Sequence, residues 1–124
     1  MDASALWWVA CGGAVGAFLR FWLSARVAAR FGTRFPYGTL LVNMLGCFIM
    51  GVLAGLLTLK LIPAQPWHDF IGEGLLGALT TFSTFSMDSF KLFRTGEWFA
   101  GACNVVLSMV LCLSAVAAGY AIVA

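Results

Sequence analysis

Gly77-Ala78-Leu79-Thr80-Thr81-Phe82-Ser83-Thr84-Phe85-Ser86 is the stretch on which the fold turns. It carries Thr-Phe-Ser twice, at 81–83 and 84–86, inside an otherwise apolar segment. Gly72, Gly74 and Gly77 lead into it, and glycine and β-branched threonine are mediocre helix formers. The composition predicts a helix from about Asp69 to Phe90 with a break between Gly77 and Thr81. A broken helix at membrane depth is tolerated only where its freed backbone groups meet protein, water or ions. Phe82 and Phe85 are three apart and share a helix face. Two such rings ordinarily pack, but hydroxyls at Thr80, Thr81, Ser83, Thr84 and Ser86 surround this pair. A phenyl ring has a negative face and a positive edge. Ring edges with hydroxyl donors beside them can line an anion path without binding the ion too tightly to release it.

Outward from this run lie three further apolar stretches, at about Ala5–Ser24, Thr39–Leu59 and Trp98–Ala121. Of the 124 residues, 62% are hydrophobic and 10% charged. A water-soluble domain of this size needs more polar surface, so the excess apolar residues must face lipid. At roughly 20 residues per crossing, the length holds about four spans and little else. The expected fold class is an all-α membrane protein of four transmembrane helices, the third broken near its centre, in a single domain over 1–124. Gly12 with Gly16, and Gly51 with Gly55, are each four apart and strip a helix face for close packing. Pro36 precedes the second helix, and Pro63 and Pro66 punctuate the connection to the third. Trp7 and Trp8 stand where amphipathic rings prefer the headgroups. Met1-Asp2-Ala3-Ser4 has no basic leader, so the first stretch is expected to be a permanent span.

The net charge of +2 carries no nucleic-acid signature. Arg26, Arg30 and Arg34, in a first loop expected over Ala25–Pro36, read as an anchor at the membrane surface. With Lys91 and Arg94 they set five basic residues in the odd loops against Lys60 in the even one, which favours both termini outside. Cys11, Cys47, Cys103 and Cys112 all fall in apolar stretches and read as small buried hydrophobes. His68, the one histidine, is expected in a loop, and Asp69 and Glu73 suit the dipole of a helix start. No nucleotide loop, catalytic set or metal cluster is visible, and an enzyme is not expected.

Several polar residues lie where lipid makes them costly. Arg20 either snorkels to the interface or makes an electropositive vestibule that concentrates anions. Asn43 is either interhelical glue or a source of amide donors for an anion. Asn104, Ser108 and Cys112 are four apart each time and share one face of the fourth helix, as an ion track or as glue. Asp88 sits in the interface, or is protonated, or pairs with Arg20 or Lys91.

With Gly16-Ala17-Phe18-Leu19-Arg20, Tyr37-Gly38-Thr39-Leu40 followed by Asn43 and Gly46, and above all the run 77–86, the chain resembles the small bacterial fluoride channels, the Fluc or CrcB proteins. The resemblance covers essentially its whole length. It implies an antiparallel, dual-topology homodimer in the bacterial inner membrane, exporting fluoride passively through two pores at the subunit interface. It implies pore rings at Phe82 and Phe85, with Ser83 beside them, fluoride coordination at Asn43, and a polar track at Asn104, Ser108 and Cys112. It also implies Arg20 in the vestibule and a structural sodium ion held by backbone carbonyls at Gly77 and Thr80. Three features depart from the family: Asp88 replaces the usual glutamate, Cys112 replaces a hydroxyl, and the loop charges are lopsided. Two other readings stand beside it. A small multidrug transporter has four spans but uses a glutamate in the first, where this chain has no acid and Arg20 would repel a cation. A scaffold subunit that transports nothing would use its polar stripes as glue.

Overall fold

The computed structural model describes residues 3–32 and 34–124; Met1 and Asp2, part of the N-terminal reading above, lie outside them. Helix α1 spans Ala3–Phe31, α2 Tyr37–Thr58 and α6 Trp98–Val123. These three are long and apolar enough to cross a membrane. The third rod in chain order is composite. A short α3 (Ala64–Trp67) leads into a π-helical segment, His68–Leu76, then a single turn α4 (Gly77–Leu79), then α5 (Phe82–Arg94). No strand occurs among the described residues. Exposed large side chains such as Phe18, Phe21, Phe99, Leu113 and Ile122 suit a multi-pass membrane protein whose outer faces meet acyl chains.

Three boundaries differ from the sequence expectation, one being that Lys91 and Arg94 lie on the last turn of α5 and not in a loop. Arg26 and Arg30 lie on the last turns of α1, not in a loop. At 29 residues the helix is about 44 Å long, well beyond a hydrocarbon core of about 30 Å. Arginine and alanine are good helix formers, so the helix outlasts the apolar stretch. Gly32, at φ +84°, ends it, a left-handed position that favours glycine. His68 likewise opens the π-helical segment and is not in a loop.

Glycines set how closely the rods approach. A Cβ on Gly12 would collide with the Phe70 carbonyl, and one on Gly16 with the Leu75 carbonyl. Both expected small-residue faces are therefore interfaces: α1 lies against the π-helical segment, and α2 against α6. At the second, Gly51 faces the Val116 carbonyl and Gly119 faces Phe48. The apolar centre is small, with Val42, Leu76 and Leu79 buried and Leu19, Leu23, Ile49 and Ile71 around them.

The break in the third rod falls at Thr80 and Thr81, within the expected interval. Both are extended, at φ/ψ −81°/154° and −149°/120°. In an unbroken helix the Thr81 N–H would bond the Gly77 carbonyl. It donates instead to Asn43 Oδ1 at 2.8 Å, and Asn43 Nδ2 donates back to the Thr81 carbonyl at 3.1 Å. One side-chain amide thus stands in for a missing helical turn. Thr80 turns its hydroxyl back to the Leu76 carbonyl at 2.9 Å. Thr81 also caps α5, its Oγ1 accepting from the Thr84 N–H at 3.2 Å, an arrangement worth about 1 kcal/mol.

These contacts set the expected stability of three variants. Gly51→Leu is expected to cost about 1–3 kcal/mol by overpacking, read as a lower melting temperature in detergent micelles. Gly13→Ala, whose Cβ would meet nothing nearer than the Gly74 carbonyl at 3.9 Å, is expected to stay within about 0.5 kcal/mol of wild type. Asn43→Ala leaves the Thr81 N–H unpaired and removes one of the bonds to the Thr81 carbonyl, and is expected to cost about 1–3 kcal/mol. Amide exchange at Thr81 should accelerate in that variant; unchanged exchange would refute the clasp.

Candidate functional site

Helix α5 begins at the break, and its first turn carries the rings. Phe82 is 78% exposed and Phe85 half-buried. Their centroids are 5.7 Å apart with planes tilted 45°, the spacing of an offset aromatic pair. Beside them runs an open groove of about 290 Å³. Asn43 and Cys47 of α2 line one side, the two rings and Thr81 another, and Ser108 and Cys112 of α6 a third. Five residues singled out from sequence (Asn43, Phe82, Phe85, Ser108 and Cys112) therefore meet on one surface, from three elements far apart in the chain.

The groove has few hydrogen-bond donors, and each has a traceable state. Asn43 spends its oxygen and one N–H on Thr81, which leaves its second amide hydrogen. The Ser108 hydroxyl is buried and has no partner among the described residues. Of the first backbone N–H groups of α5, that of Thr84 is capped by Thr81 Oγ1, and those of Phe82 and Ser83 have no intrahelical partner, as at any helix start. They form the positive end of a helix dipole.

Thr80 also lines the groove, and the remaining predicted residues sit apart from it. Asn104 lies behind it, 2% exposed. Its Nδ2 donates to Ser89 Oγ at 2.8 Å, and Ser89 donates to the Phe85 carbonyl at 2.9 Å. This relay ties α6 to the backbone that carries the Phe85 ring. Ser89 is a positioning residue that the sequence did not reveal, since its spacing to Phe85 is ordinary within a helix and its partner is on another. Ser83 is exposed, with its hydroxyl 3.3 Å from that of Thr81. Arg20 is half-buried in a separate cleft of about 330 Å³, with Ser24, Thr39, Thr81 and Thr84. Thr81 lines both cleft and groove, so the two meet at the break.

A larger mouth of about 460 Å³ opens beyond the cleft, with Arg34, Asp88, Lys91 and Glu97 on its walls. Asp88 accepts a hydrogen bond from Thr39 Oγ1 at 3.0 Å. Among the described residues it forms an ion pair with neither Arg20 nor Lys91. Its partner is thus a hydroxyl on α2, an alternative the sequence did not suggest. Gly77 and Thr80 flank the last turn before the break.

Comparison with known proteins places the chain in a family. The family model described as CrcB-like protein, Camphor Resistance (CrcB), matches residues 7–120. A Vibrio parahaemolyticus protein named fluoride-specific ion channel FluC is 46% identical over 117 residues, covering 94% of this chain and 92% of that one. The Vibrio cholerae protein of the same name is 47% identical over 120 residues, covering 97% and 95%. Its namesake from Pseudoalteromonas translucida is 49% identical over 105 residues, covering 85% and 88%. With a family model matched across nearly its whole length and relatives near half identical end to end, this chain belongs to the CrcB-like family.

Proposed function

We propose that the chain forms a fluoride-selective channel that lets the anion leave the cytoplasm passively. The observation that carries this reading is the groove. Ser108, whose buried hydroxyl has no partner, Asn43, with a spare amide hydrogen, and the start of α5 line the same groove as the two phenyl rings. All are donors or positive ring edges, and no carboxylate lines the groove. Fluoride is small and strongly hydrated, so a path must replace its water with donors while holding it loosely. One hydroxyl, one amide and ring edges meet both needs. Relatives named as fluoride-specific ion channels, nearly half identical across their length, support the choice of anion. They also support a transport role over an enzymatic one.

The finer arrangement belongs to the same proposal. Phe82 is largely exposed on a single chain, so the groove is open on one flank. A second, inverted copy would close it and give two pores at the interface of an antiparallel homodimer in the bacterial inner membrane. Arg20, in the cleft that meets the groove at Thr81, would raise the local anion concentration. The break also fits a structural sodium ion. Diverting the Thr81 N–H to Asn43 frees the Gly77 carbonyl. Neither it nor the Thr80 carbonyl accepts a hydrogen bond across the break among the described residues. Carbonyl oxygens at the C-terminal end of a half-helix suit a hard cation. Such an ion would neutralise that negative end and brace the break.

Proteoliposomes holding the purified protein are expected to release fluoride down its gradient and to retain chloride, as read by ion-selective electrodes. Absence of fluoride release would favour a scaffold role. Exchange of protons for a quaternary ammonium drug would favour a multidrug transporter. Phe82→Ile and Phe85→Ile should each lower fluoride release at least about tenfold, equivalent to about 1.4 kcal/mol, with oligomeric state unchanged by crosslinking. Full release in both variants would remove the rings from the path.

A further inference from the structure

At the head of the third rod the π-helical segment gathers three side chains that the fluoride reading does not use. His68 Nδ1 is 3.5 Å from Asp69 Oδ1 and 3.8 Å from Glu73 Oε1. One ligand atom from each of the three lies within 4.8 Å of the others. In an α-helix, residues five apart are rotated roughly 140° from one another. The wider π turn brings His68 over Glu73, and single π turns recur at functional sites. A second observation is independent of this spacing. The Asp69 side chain is 7% exposed, and its Oδ2 is sealed from solvent with no hydrogen-bond partner among the described residues. A carboxylate oxygen in that state is costly unless a cation or donor meets it.

We propose that His68, Asp69 and Glu73 bind one divalent transition-metal ion of the zinc class. One imidazole nitrogen and two carboxylates favour Zn²⁺ or Co²⁺ over Ca²⁺ and Mg²⁺, which prefer all-oxygen sites. A tetrahedral ion with ligands at about 2.0–2.2 Å separates them by about 3.3–3.6 Å. The distances from His68 are already close to that. The Glu73 side chain, 44% exposed, is free to close the remainder, and water takes the fourth position. Binding attaches the head of the π-helical segment to its own second turn. The proposal does not depend on the fluoride reading.

The test uses the full chain in detergent micelles, prepared without a polyhistidine tag so that His68 is the only histidine. Titration with ZnCl₂ by calorimetry is expected to give one ion per chain and a raised melting temperature that a chelator reverses. CoCl₂ should give visible absorption bands from a nitrogen–oxygen site. His68→Ala, at a half-exposed position, should weaken binding at least about tenfold and abolish the thermal shift, while fluoride release without metal stays at the wild-type level. Glu73→Gln should weaken binding with the fold intact. The proposal is overturned if wild type takes up no Zn²⁺. It is equally overturned if His68→Ala and Glu73→Gln both bind it as tightly as wild type, which would assign the ion to the cysteines.

Discussion

The clasp between the Asn43 amide and the Thr81 backbone is the interaction on which the rest of this molecule depends. A helix interrupted inside an apolar bundle exposes carbonyl and N–H groups that lipid cannot satisfy. Asn43 pairs with both Thr81 groups at once, and the Thr80 hydroxyl returns to Leu76. The interruption is thereby made stable enough to keep. Its consequences are directional. The carbonyl end of α4 and the N–H end of α5 face each other across two extended residues, placing opposite partial charges next to one another. The proposed cation and anion sites draw on these two ends of one break.

Close approach of backbones makes the clasp geometrically available. Gly46, one turn along α2 from Asn43, has no Cβ where the Thr80 methyl group sits. Gly12 and Gly16 admit the π-helical segment against α1 in the same way. A bundle in lipid gains little from hiding apolar surface and relies on such packing and on interhelical hydrogen bonds. The glycine contacts and the Asn43 clasp are therefore one device. The glycines bring α2 near the break, and the amide uses that proximity.

Much of this was legible in the sequence, for reasons that differ between residues. The break was readable because glycine and threonine accumulate where a helix should be strongest. The packing faces were readable because small residues recur four apart. Asn43 was readable as a polar residue in an apolar helix, but not its partner. The partner is the backbone of a residue 38 positions away, and backbone leaves no trace in a sequence. Arg26 and Arg30 were misplaced because hydropathy marks where lipid ends, not where a helix ends. His68, Asp69 and Glu73 went unseen as a cluster because their approach depends on a π turn, and local sequence does not distinguish π from α winding. Ser89 was hidden by ordinary spacing, its importance arising only from Asn104 across the interface.

Exposure alone does not single out the groove. Phe82 is 78% exposed, but Phe99 is 83% exposed and simply faces outward from α6; an apolar bundle has many such rings. The discriminating feature is the hydroxyl beside Phe82 and Phe85. In an apolar helix a serine or threonine normally returns its hydroxyl to the carbonyl four residues back. Thr80, Ser89 and Thr95 all do so in this chain. Ser108 is as buried as Ser89, has the same option, and leaves its oxygen unpaired. Ser108 thus keeps a donor free of its local acceptor on a residue that lines the groove. On the proposed reading, that contrast between two serines of one chain favours an ion path over mere interhelical glue.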